Sequence, residues 1–204
     1  EGILGNGYSG DKNVDVANLD EFDNFGSATS LNGDGDRLAV AASRDDGAGN
    51  AASDTGAAYL FSFTGMNFNG GTLESTIGSG YTGGKNVDVA NLDVGDEFGS
   101  AISLNGAGDR LAVGARGDDG AGNNDFESGA AYLFSFTDTN FNGGTLDSTI
   151  GKGYTAGKNV DVANLADDND DRFGSAISLN AAGDRLAVGA EFDDGAGNVS
   201  FDSG

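Results

Sequence analysis

The sequence repeats itself with few changes at a spacing of 73 residues, and this repetition limits the fold more than any other feature. The tyrosines near the start of each copy are Tyr8, Tyr81 and Tyr154. The phenylalanines of a repeated Phe-Gly pair are Phe25, Phe98 and Phe173, so the third copy is longer by two residues. Self-similarity at a fixed period is typical of proteins in which each copy forms one structural unit. We therefore predict a single array over residues 1–204, with units of about 1–73, 74–146 and 147–204.

Each copy contains short apolar runs separated by glycine, asparagine and aspartate. In the middle copy these runs predict four strands, over residues 86–92, 98–104, 111–115 and 130–136. Residues 105–108 predict a hairpin turn and residues 140–150 a further small hairpin. No apolar pattern with the 3.6-residue period of a helix persists. The sequence thus predicts an all-β fold with one four-stranded antiparallel sheet per copy.

Repetition also predicts equivalent burial in the three copies. The expected core positions are Phe25, Phe98, Phe173, Leu38, Leu111 and Leu186. The Phe-Gly pair is followed by small residues, such as Ser100 and Ala101 after Gly99. Small residues allow two backbones to approach closely, so we expect crowding at this end of each strand.

The chain is strongly acidic, with 33 acidic and 10 basic residues and a net charge of −23. An acidic surface repels nucleic acid phosphates and anionic membranes, so neither is expected as a partner. No apolar run approaches the roughly 18 residues that a membrane span needs. The charge instead favours divalent cations and keeps neighbouring copies soluble.

Cysteine and histidine are both absent from the sequence. Their absence excludes disulfides, thiolate sites and imidazole ligands, and leaves no imidazole or thiol for acid–base or nucleophilic catalysis. Paired carboxylates can hydrolyse glycosides. Since each conspicuous acidic residue belongs to the repeat, whereas an active site is usually one unrepeated constellation, we predict that the chain is not an enzyme.

Two sets of repeated oxygen donors are candidate calcium sites, because calcium takes six to eight oxygen ligands in flexible geometry. The first lies in the repeated Asp-Asp-Gly-Ala-Gly-Asn loop and the second just before each Phe-Gly pair. The first set is Asp45, Asp46, Asn50, Asp118, Asp119, Asn123, Asp193, Asp194 and Asn198. The second set is Asp20, Asp23, Asp93, Asp96, Asp167 and Asp171. The alternative is a turn whose side chains bond to their own backbone.

The order of motifs resembles the FG-GAP repeat of integrin-α-like β-propellers. The middle copy has Asp-Glu-Phe-Gly-Ser-Ala at 96–101, Gly-Asp-Arg-Leu-Ala-Val-Gly-Ala at 108–115 and Gly-Ala-Ala-Tyr-Leu-Phe-Ser-Phe at 129–136. The chain is similar to the bacterial variety found in large secreted proteins. The resemblance implies propeller-like blades. It does not carry over the integrin calcium loop, because the turns at 32–36, 105–109 and 180–184 have too few carboxylates.

From the repeats and the resemblance we predict a structural or adhesive extracellular protein, as part of a larger bacterial surface protein or filament. Its expected partners are other copies of itself or further repeats of the same polypeptide. The alternative is a ligand-binding β-propeller module that recognises a protein or a glycan. The third copy lacks the counterpart of residues 130–146, so we also expect that this chain does not complete its own fold.

Overall fold

The computed structural model describes residues 2–65, 67–165 and 170–195, and within these residues the chain is all-β. The described residues contain no helix, and so none that is long and apolar enough to cross a membrane. The strands are β1 (Leu4–Gly5), β2 (Val14–Asp15), β3 (Phe25–Leu31), β4 (Arg37–Ala42), β5 (Ala57–Ser62), β6 (Thr72–Gly78), β7 (Val87–Asp88), β8 (Phe98–Leu104), β9 (Arg110–Ala115), β10 (Ala130–Ser135), β11 (Thr145–Gly151), β12 (Val160–Asp161), β13 (Phe173–Leu179) and β14 (Leu186–Ala190).

Two five-stranded sheets share one strand order and one register. Blade 1 is the sheet of β3 to β7, blade 2 is the sheet of β8 to β12, and blade 3 is the pair β13 and β14. In blades 1 and 2, four strands are antiparallel and the short fifth strand adds in parallel. Leu38 lies opposite Phe61 in blade 1, as Leu111 lies opposite Phe134 in blade 2. The prediction of tandem antiparallel blades is confirmed.

The fourth antiparallel strand is not the one that the sequence predicted. Of the predicted strand 86–92, only Val87–Asp88 is extended, and it pairs in parallel with β6. Before this short pairing, a side-chain bond holds the segment, since Asn86 Oδ1 accepts the Thr76 N–H at 2.8 Å. The fourth strand is β6 or β11, and β11 lies where a small hairpin was predicted. The end of β11 is the buried part of the strand, where Ser148, Thr149 and Gly151 are buried.

The hairpin predicted at 105–108 is confirmed, and one asparagine organises it. Asn105 Oδ1 accepts the N–H groups of Gly108, Asp109 and Arg110 at 2.9, 3.1 and 3.0 Å. Its amide donates to Asp109 Oδ1 at 2.8 Å. A single asparagine thus satisfies the turn from inside, as asparagine does in turns of this kind. The turn therefore holds its shape through its own side chain.

Neighbouring blades are joined by hydrogen bonds that recur from one junction to the next. Gly33 donates its N–H to the Gly106 carbonyl, and Gly106 donates its own to the Ala181 carbonyl, both at 2.9 Å. Leu104 donates to Ser30 Oγ at 2.9 Å, and Leu179 donates to Ser103 Oγ at 3.0 Å. Equivalent residues of three copies thus form a continuous chain of contacts. The blades are stacked by one repeated operation.

Burial is not equivalent in the three copies, and this corrects the prediction. Phe98 and Leu111 are fully buried, whereas Phe25, Phe173, Leu38 and Leu186 are half-buried. Phe98 lies in a core cluster that contains Ala39, Ala41 and Leu60 of blade 1. Only the middle blade has a described sheet against both of its faces, so identical residues differ in burial because their neighbours differ.

Small residues stand where backbones meet, as the sequence predicted. A Cβ added to Gly114 would lie 2.0 Å from the Gly174 carbonyl oxygen of the next blade. A Cβ added to Gly99 would lie 2.9 Å from the Ala41 methyl group. No larger side chain fits either place without separating the blades.

Candidate functional site

The Asp-Asp-Gly-Ala-Gly-Asn loops follow β4 and β9, and their first aspartate is buried. Asp118 Oδ2 accepts the Tyr132 hydroxyl at 2.5 Å and the Tyr154 hydroxyl at 3.0 Å. Asp118 Oδ1 also accepts the Gly120 N–H at 2.8 Å, which closes the loop. Three protein donors converge on one carboxylate, as expected for a buried charge.

The same arrangement exists in blade 1. Asp45 accepts the Tyr59 hydroxyl at 2.5 Å, the Tyr81 hydroxyl at 2.9 Å and the Gly47 N–H at 2.9 Å. Tyr59 is fully buried and Tyr81 is 6% exposed, so neither ring offers a stacking surface to a ligand. We call each aspartate with its two tyrosines an Asp–Tyr–Tyr cluster. In blade 1 the cluster joins the loop after β4 to β5 and to the segment after β6.

The structure brings the two sets of candidate ligands together at one place in each of blades 1 and 2. Asn50 Nδ2 donates to Asp20 Oδ2 at 2.6 Å, and Asn123 donates to Asp93 in the same way. The buried Asp96 accepts the Asp93 N–H at 2.8 Å. What the sequence presented as two separate sites is therefore one acidic region in each of blades 1 and 2.

The third copy is only partly described. Asp167 and Asn198 lie outside the described residues. Asp171 and Asp194 are buried, at 1% and 4% exposure. Asp193 Oδ1 accepts the Gly195 N–H at 2.6 Å, as the first aspartate of the loop does in the other copies.

Burial and repulsion by neighbouring carboxylates raise the pKa of the buried aspartates of the acidic region. The pKa of Asp96 is raised to about 7, chiefly by burial; the Asp93 N–H opposes the rise, and the neighbouring charges of Asp118, Asp93 and Asp119 contribute to it. Burial likewise raises the pKa of Asp118 above its ordinary value, although two tyrosines oppose the shift. Burial raises the pKa of Tyr132 as well, so its hydroxyl keeps the proton that it donates.

The donor set was tested against what a calcium ion requires. Both oxygens of Asp118 accept protein donors, and Asp119 Oδ1 accepts the Glu127 N–H at 2.7 Å. No group of three or more acidic side chains placed to hold a metal occurs in the part of the chain that the structure describes. These bonds match the turn interpretation, and a cation would have to displace some of them. The calcium sites stay a prediction.

A shallow polar cleft recurs beside the loop in both complete blades. In blade 1 it has a volume of about 510 Å³ and is lined by Asn18, Asp20, Asn50 and Tyr81. In blade 2 it has about 330 Å³, with Asn91, Asp93, Asn123 and Tyr154 at the equivalent positions. Amide and carboxylate groups at the mouth provide donors and acceptors for a polar ligand.

Sequence reasoning missed the Asp–Tyr–Tyr clusters, although a signal for them was present. The sequence analysis considered the aspartates only as candidate calcium ligands or turn residues. The separations from Asp45 to Tyr59 and Tyr81 are the same as those from Asp118 to Tyr132 and Tyr154. Constant spacing between a buried acid and two hydroxyl donors is compatible with a hydrogen bond, but spacing alone does not reveal which partner the carboxylate takes.

Charged residues that differ between the copies were also missed. Asn24, Glu97 and Arg172 occupy one repeat position, and Ser43, Arg116 and Glu191 occupy another. Arg44 of blade 1 and Arg116 of blade 2 both face Glu97, at 3.8 and 2.5 Å. Arg172 pairs with Glu127 at 2.9 Å and with Glu191 at 3.7 Å. These residues could have been found in the sequence because they differ between otherwise repeated copies. Two of their ion pairs, Arg44–Glu97 and Arg172–Glu127, join neighbouring blades.

The raised pKa of Asp96 predicts that acidification stabilises the protein between pH 8 and pH 5. Its folded pKa of about 7 lies above the unfolded value near 3.8. Its contribution is therefore complete below about pH 4 and is lost as pH rises through about 7, by up to about 4 kcal/mol. Asp96→Asn keeps an oxygen for the Asp93 N–H without the charge. We expect it to raise the melting temperature at pH 8 and to flatten the pH dependence.

Asp34→Asn is the control, because Asp34 is exposed and the substitution removes the same charge. It should leave the slope of melting temperature against pH unchanged. A wild-type protein that loses stability from pH 8 to pH 5, with a parallel curve for Asp96→Asn, would contradict the assignment.

Stacked antiparallel blades joined by a repeated junction define a class of all-β repeat protein. Within this class, residues 91–134 match the family model of the FG-GAP repeat, so the middle of the chain contains an FG-GAP repeat. The match begins in the loop before β8 and ends in β10. No curated protein matches the chain. FG-GAP repeats are generally structural or binding modules and occur in extracellular and surface proteins.

Proposed function

We propose that the chain is a structural and adhesive, non-enzymatic module of an extracellular protein, in which near-identical blades stack into a rigid array. The observation that carries this proposal is the recurrence of the junction bonds, from Gly33 to Gly106 and from Gly106 to Ala181. A junction whose backbone hydrogen bonds recur can extend an array for as long as repeats are supplied. A larger bacterial surface or filament protein is the setting that uses such an array.

Charge supports the extracellular array in a second way. The repeats carry a net charge of −23, which keeps crowded arrays apart wherever their junction surfaces do not match. Arginine and glutamate pairs then hold the blades together locally, at the junctions themselves. Ion pairs attract neighbouring blades at the junctions, whereas the negative charge of the remaining surface repels other arrays.

Electron microscopy combined with light scattering tests the array. We expect the purified chain to form elongated particles whose mass increases with protein concentration. Compact monomers at every concentration, together with no retention of chain-coated beads on chain-coated surfaces, would overturn the structural and adhesive proposal.

A second candidate function is recognition of a polar ligand, favoured by the cleft that recurs beside Asn50 and Asn123. A glycan is the class of ligand that amide and carboxylate groups in a shallow cleft recognise. A glycan array probed with the labelled chain tests it, with Asn50→Ala/Asn123→Ala as the comparison. Signals that persist in the double variant, or no signal at all, would remove this candidate.

Calcium dependence of the array has a direct test. A cation that binds only the folded state raises stability by mass action, about 2.7 kcal/mol at one hundred times its dissociation constant. If the acidic regions hold calcium, we expect the melting temperature to rise in millimolar calcium and to fall in chelator. Equal melting temperatures at matched ionic strength would leave the loops as hydrogen-bonded turns.

A further inference from the structure

At the junction between blades 1 and 2, a glutamate of blade 2 lies between two arginines. Glu97 Oε1 is 3.8 Å from Arg44 Nε of blade 1, and Glu97 Oε2 is 2.5 Å from Arg116 Nε of its own blade. The Glu97 side chain is 18% exposed, so solvent screens these interactions only in part. One ion pair therefore crosses the junction and the other lies within blade 2. We call Glu97 and Arg116 the charge pair of blade 2.

At the junction between blades 2 and 3, the equivalent position carries the opposite charge. Arg172 Nη2 is 2.9 Å from Glu127 Oε2 of blade 2, and Arg172 Nη1 is 3.7 Å from Glu191 Oε1 of its own blade. Within blade 3, Arg172 also contacts Asp170 at 3.1 Å and the ring of Phe192. Arg172 and Glu191 are thus the charge pair of blade 3, and its signs are the reverse of those in blade 2.

The backbone contacts do not distinguish the two junctions. Glu97 donates its N–H to the Asp54 carbonyl at 3.1 Å, and Arg172 donates its own to the Glu127 carbonyl at 3.0 Å. The phenylalanines that follow them donate to the preceding blade at 3.0 Å in both junctions. Discrimination between near-identical blades therefore depends on side chains.

The backbone conformation at this position is independent evidence that the charges have a role. Glu97 and Arg172 have φ angles of +51° and +52°, which lie in the left-handed region. Asparagine adopts this region more readily than glutamate or arginine, and the first copy has Asn24 here with a φ of +55°. Two long charged residues thus occupy a position that suits asparagine. Residues held in a sparsely populated conformation are often functional.

A second copy of blade 2 in the place of blade 3 would bring like charges together. Its counterpart of Glu97 would stand where Arg172 stands, and would therefore face Glu127. Two carboxylates would meet across the junction in place of an arginine and a carboxylate. Like charges that face each other across an interface disfavour that pairing strongly.

The cation that attracts Glu97 at the first junction has no counterpart at the same position of blade 2. Blade 2 has Gly117 where blade 1 has Arg44. Arg116 of blade 2 does not replace that cation, because it is already bonded to Glu97 of its own blade. The surface that blade 2 presents to its next neighbour therefore favours an arginine at this position and disfavours a glutamate.

We propose that the charge pairs of blades 2 and 3 are order-determining residues, which make blade 2 accept blade 3 as its neighbour and reject a second blade 2. Misassembly between units is a characteristic failure of repeat proteins. Specificity against it comes from repulsion in the wrong pairing as well as attraction in the right one. The proposal goes beyond the array function, because it concerns the order of blades within one chain and holds whether or not chains assemble.

An exchange of charges within blade 3 tests the proposal in the intact chain. Arg172→Glu/Glu191→Arg gives blade 3 the charge pair of blade 2 and leaves the net charge unchanged. We expect hydrogen exchange in β13 to become at least about tenfold faster, because Glu127 then faces a like charge. Exchange in β4 and β5 of blade 1 should keep its wild-type rate, which shows that the chain is folded. Unchanged exchange in β13 overturns the proposal.

A third substitution, Glu127→Arg, completes a cycle of four chains. Alone it places an arginine opposite Arg172 and should also speed exchange in β13. Added to Arg172→Glu/Glu191→Arg, it restores opposite charges across the junction. We expect exchange at least about tenfold slower than the two separate effects together predict, because contacts within blade 3 cancel in the comparison. Effects that simply multiply, with no recovery, overturn the proposal.

Arg172→Asn separates rejection of the wrong neighbour from loss of an ordinary ion pair. It introduces the residue that the first copy has at this position, so it removes the attraction without adding repulsion. We expect it to speed exchange in β13 by less than about fivefold, since a partly exposed ion pair contributes little stability. If Arg172→Asn speeds exchange as much as the charge exchange does, blade 2 does not reject the wrong charge pair and the proposal is wrong.

Discussion

Phe98→Ala should be among the most destabilising single substitutions in this chain, with a loss of about 3–5 kcal/mol in the free energy of unfolding. Phe98 is completely buried and makes edge-to-face contacts with Tyr132 and Phe134, at 5.5 and 6.1 Å between ring centroids. Its removal leaves a cavity between blades 1 and 2 that neither rigid sheet can close. Urea unfolding measures the loss, provided that the dependence on denaturant stays the same.

Phe25→Ala is the matched control, because it is the same residue at the same repeat position. Phe25 packs on Tyr59 and Phe61 at 5.5 and 6.4 Å, so the contacts within its own blade are equivalent. It is half-buried, and we expect about half the loss of Phe98→Ala. Phe22→Ala, at a ring 84% exposed, should be nearly neutral. A loss below about 1 kcal/mol at Phe98 would contradict the blade assignment.

The sequence predicted the elements whose geometry is local. The strands at 98–104 and 130–136 and the turn begun by Asn105 follow from strand formers and turn residues that are adjacent in the chain. The segment at 86–92 alternates polar and apolar residues but is not a regular strand. Its partner is β6, and the asparagine at its start bonds to that strand through its side chain. Periodicity does not report such a competing bond.

The acidic region could be located from sequence but its chemistry could not. Repeated aspartates identified the loops, but the sequence presented the two sets as separate sites, whereas the structure places them together in blades 1 and 2. Whether a carboxylate takes a cation or a hydroxyl depends on which donors reach it. Tyr154 lies 36 residues beyond Asp118, and only the completed blade brings them within 3.1 Å.

Because the copies are nearly identical in sequence, the sequence could not predict that equivalent phenylalanines differ in burial. Phe25, Phe98 and Phe173 have the same neighbours in sequence, yet only Phe98 has a described sheet on both sides. Where the copies differ, ion pairs cross the junctions: Glu97 pairs with Arg44 of blade 1, and Arg172 pairs with Glu127 of blade 2. Unrepeated charges at a repeated junction favour one order of blades over others, as opposite charges do in other paired interfaces.

Gly129→Ala should have the second large effect, by separating blade 3 from blade 2. Gly129 has a φ of +81°, and a Cβ there would lie 2.1 Å from the Phe173 carbonyl oxygen. Gly83→Ala is the control, since Gly83 has the same φ of +81° with no atom within 4 Å of the added Cβ. The control measures backbone strain alone, about 1–2 kcal/mol. We expect Gly129→Ala to cost at least about 3 kcal/mol, because the clash is with backbone. It should also speed hydrogen exchange in β13 and β14. If Gly129→Ala costs no more than Gly83→Ala, the two backbones do not meet at this point and the stacked junction described for blades 2 and 3 is wrong.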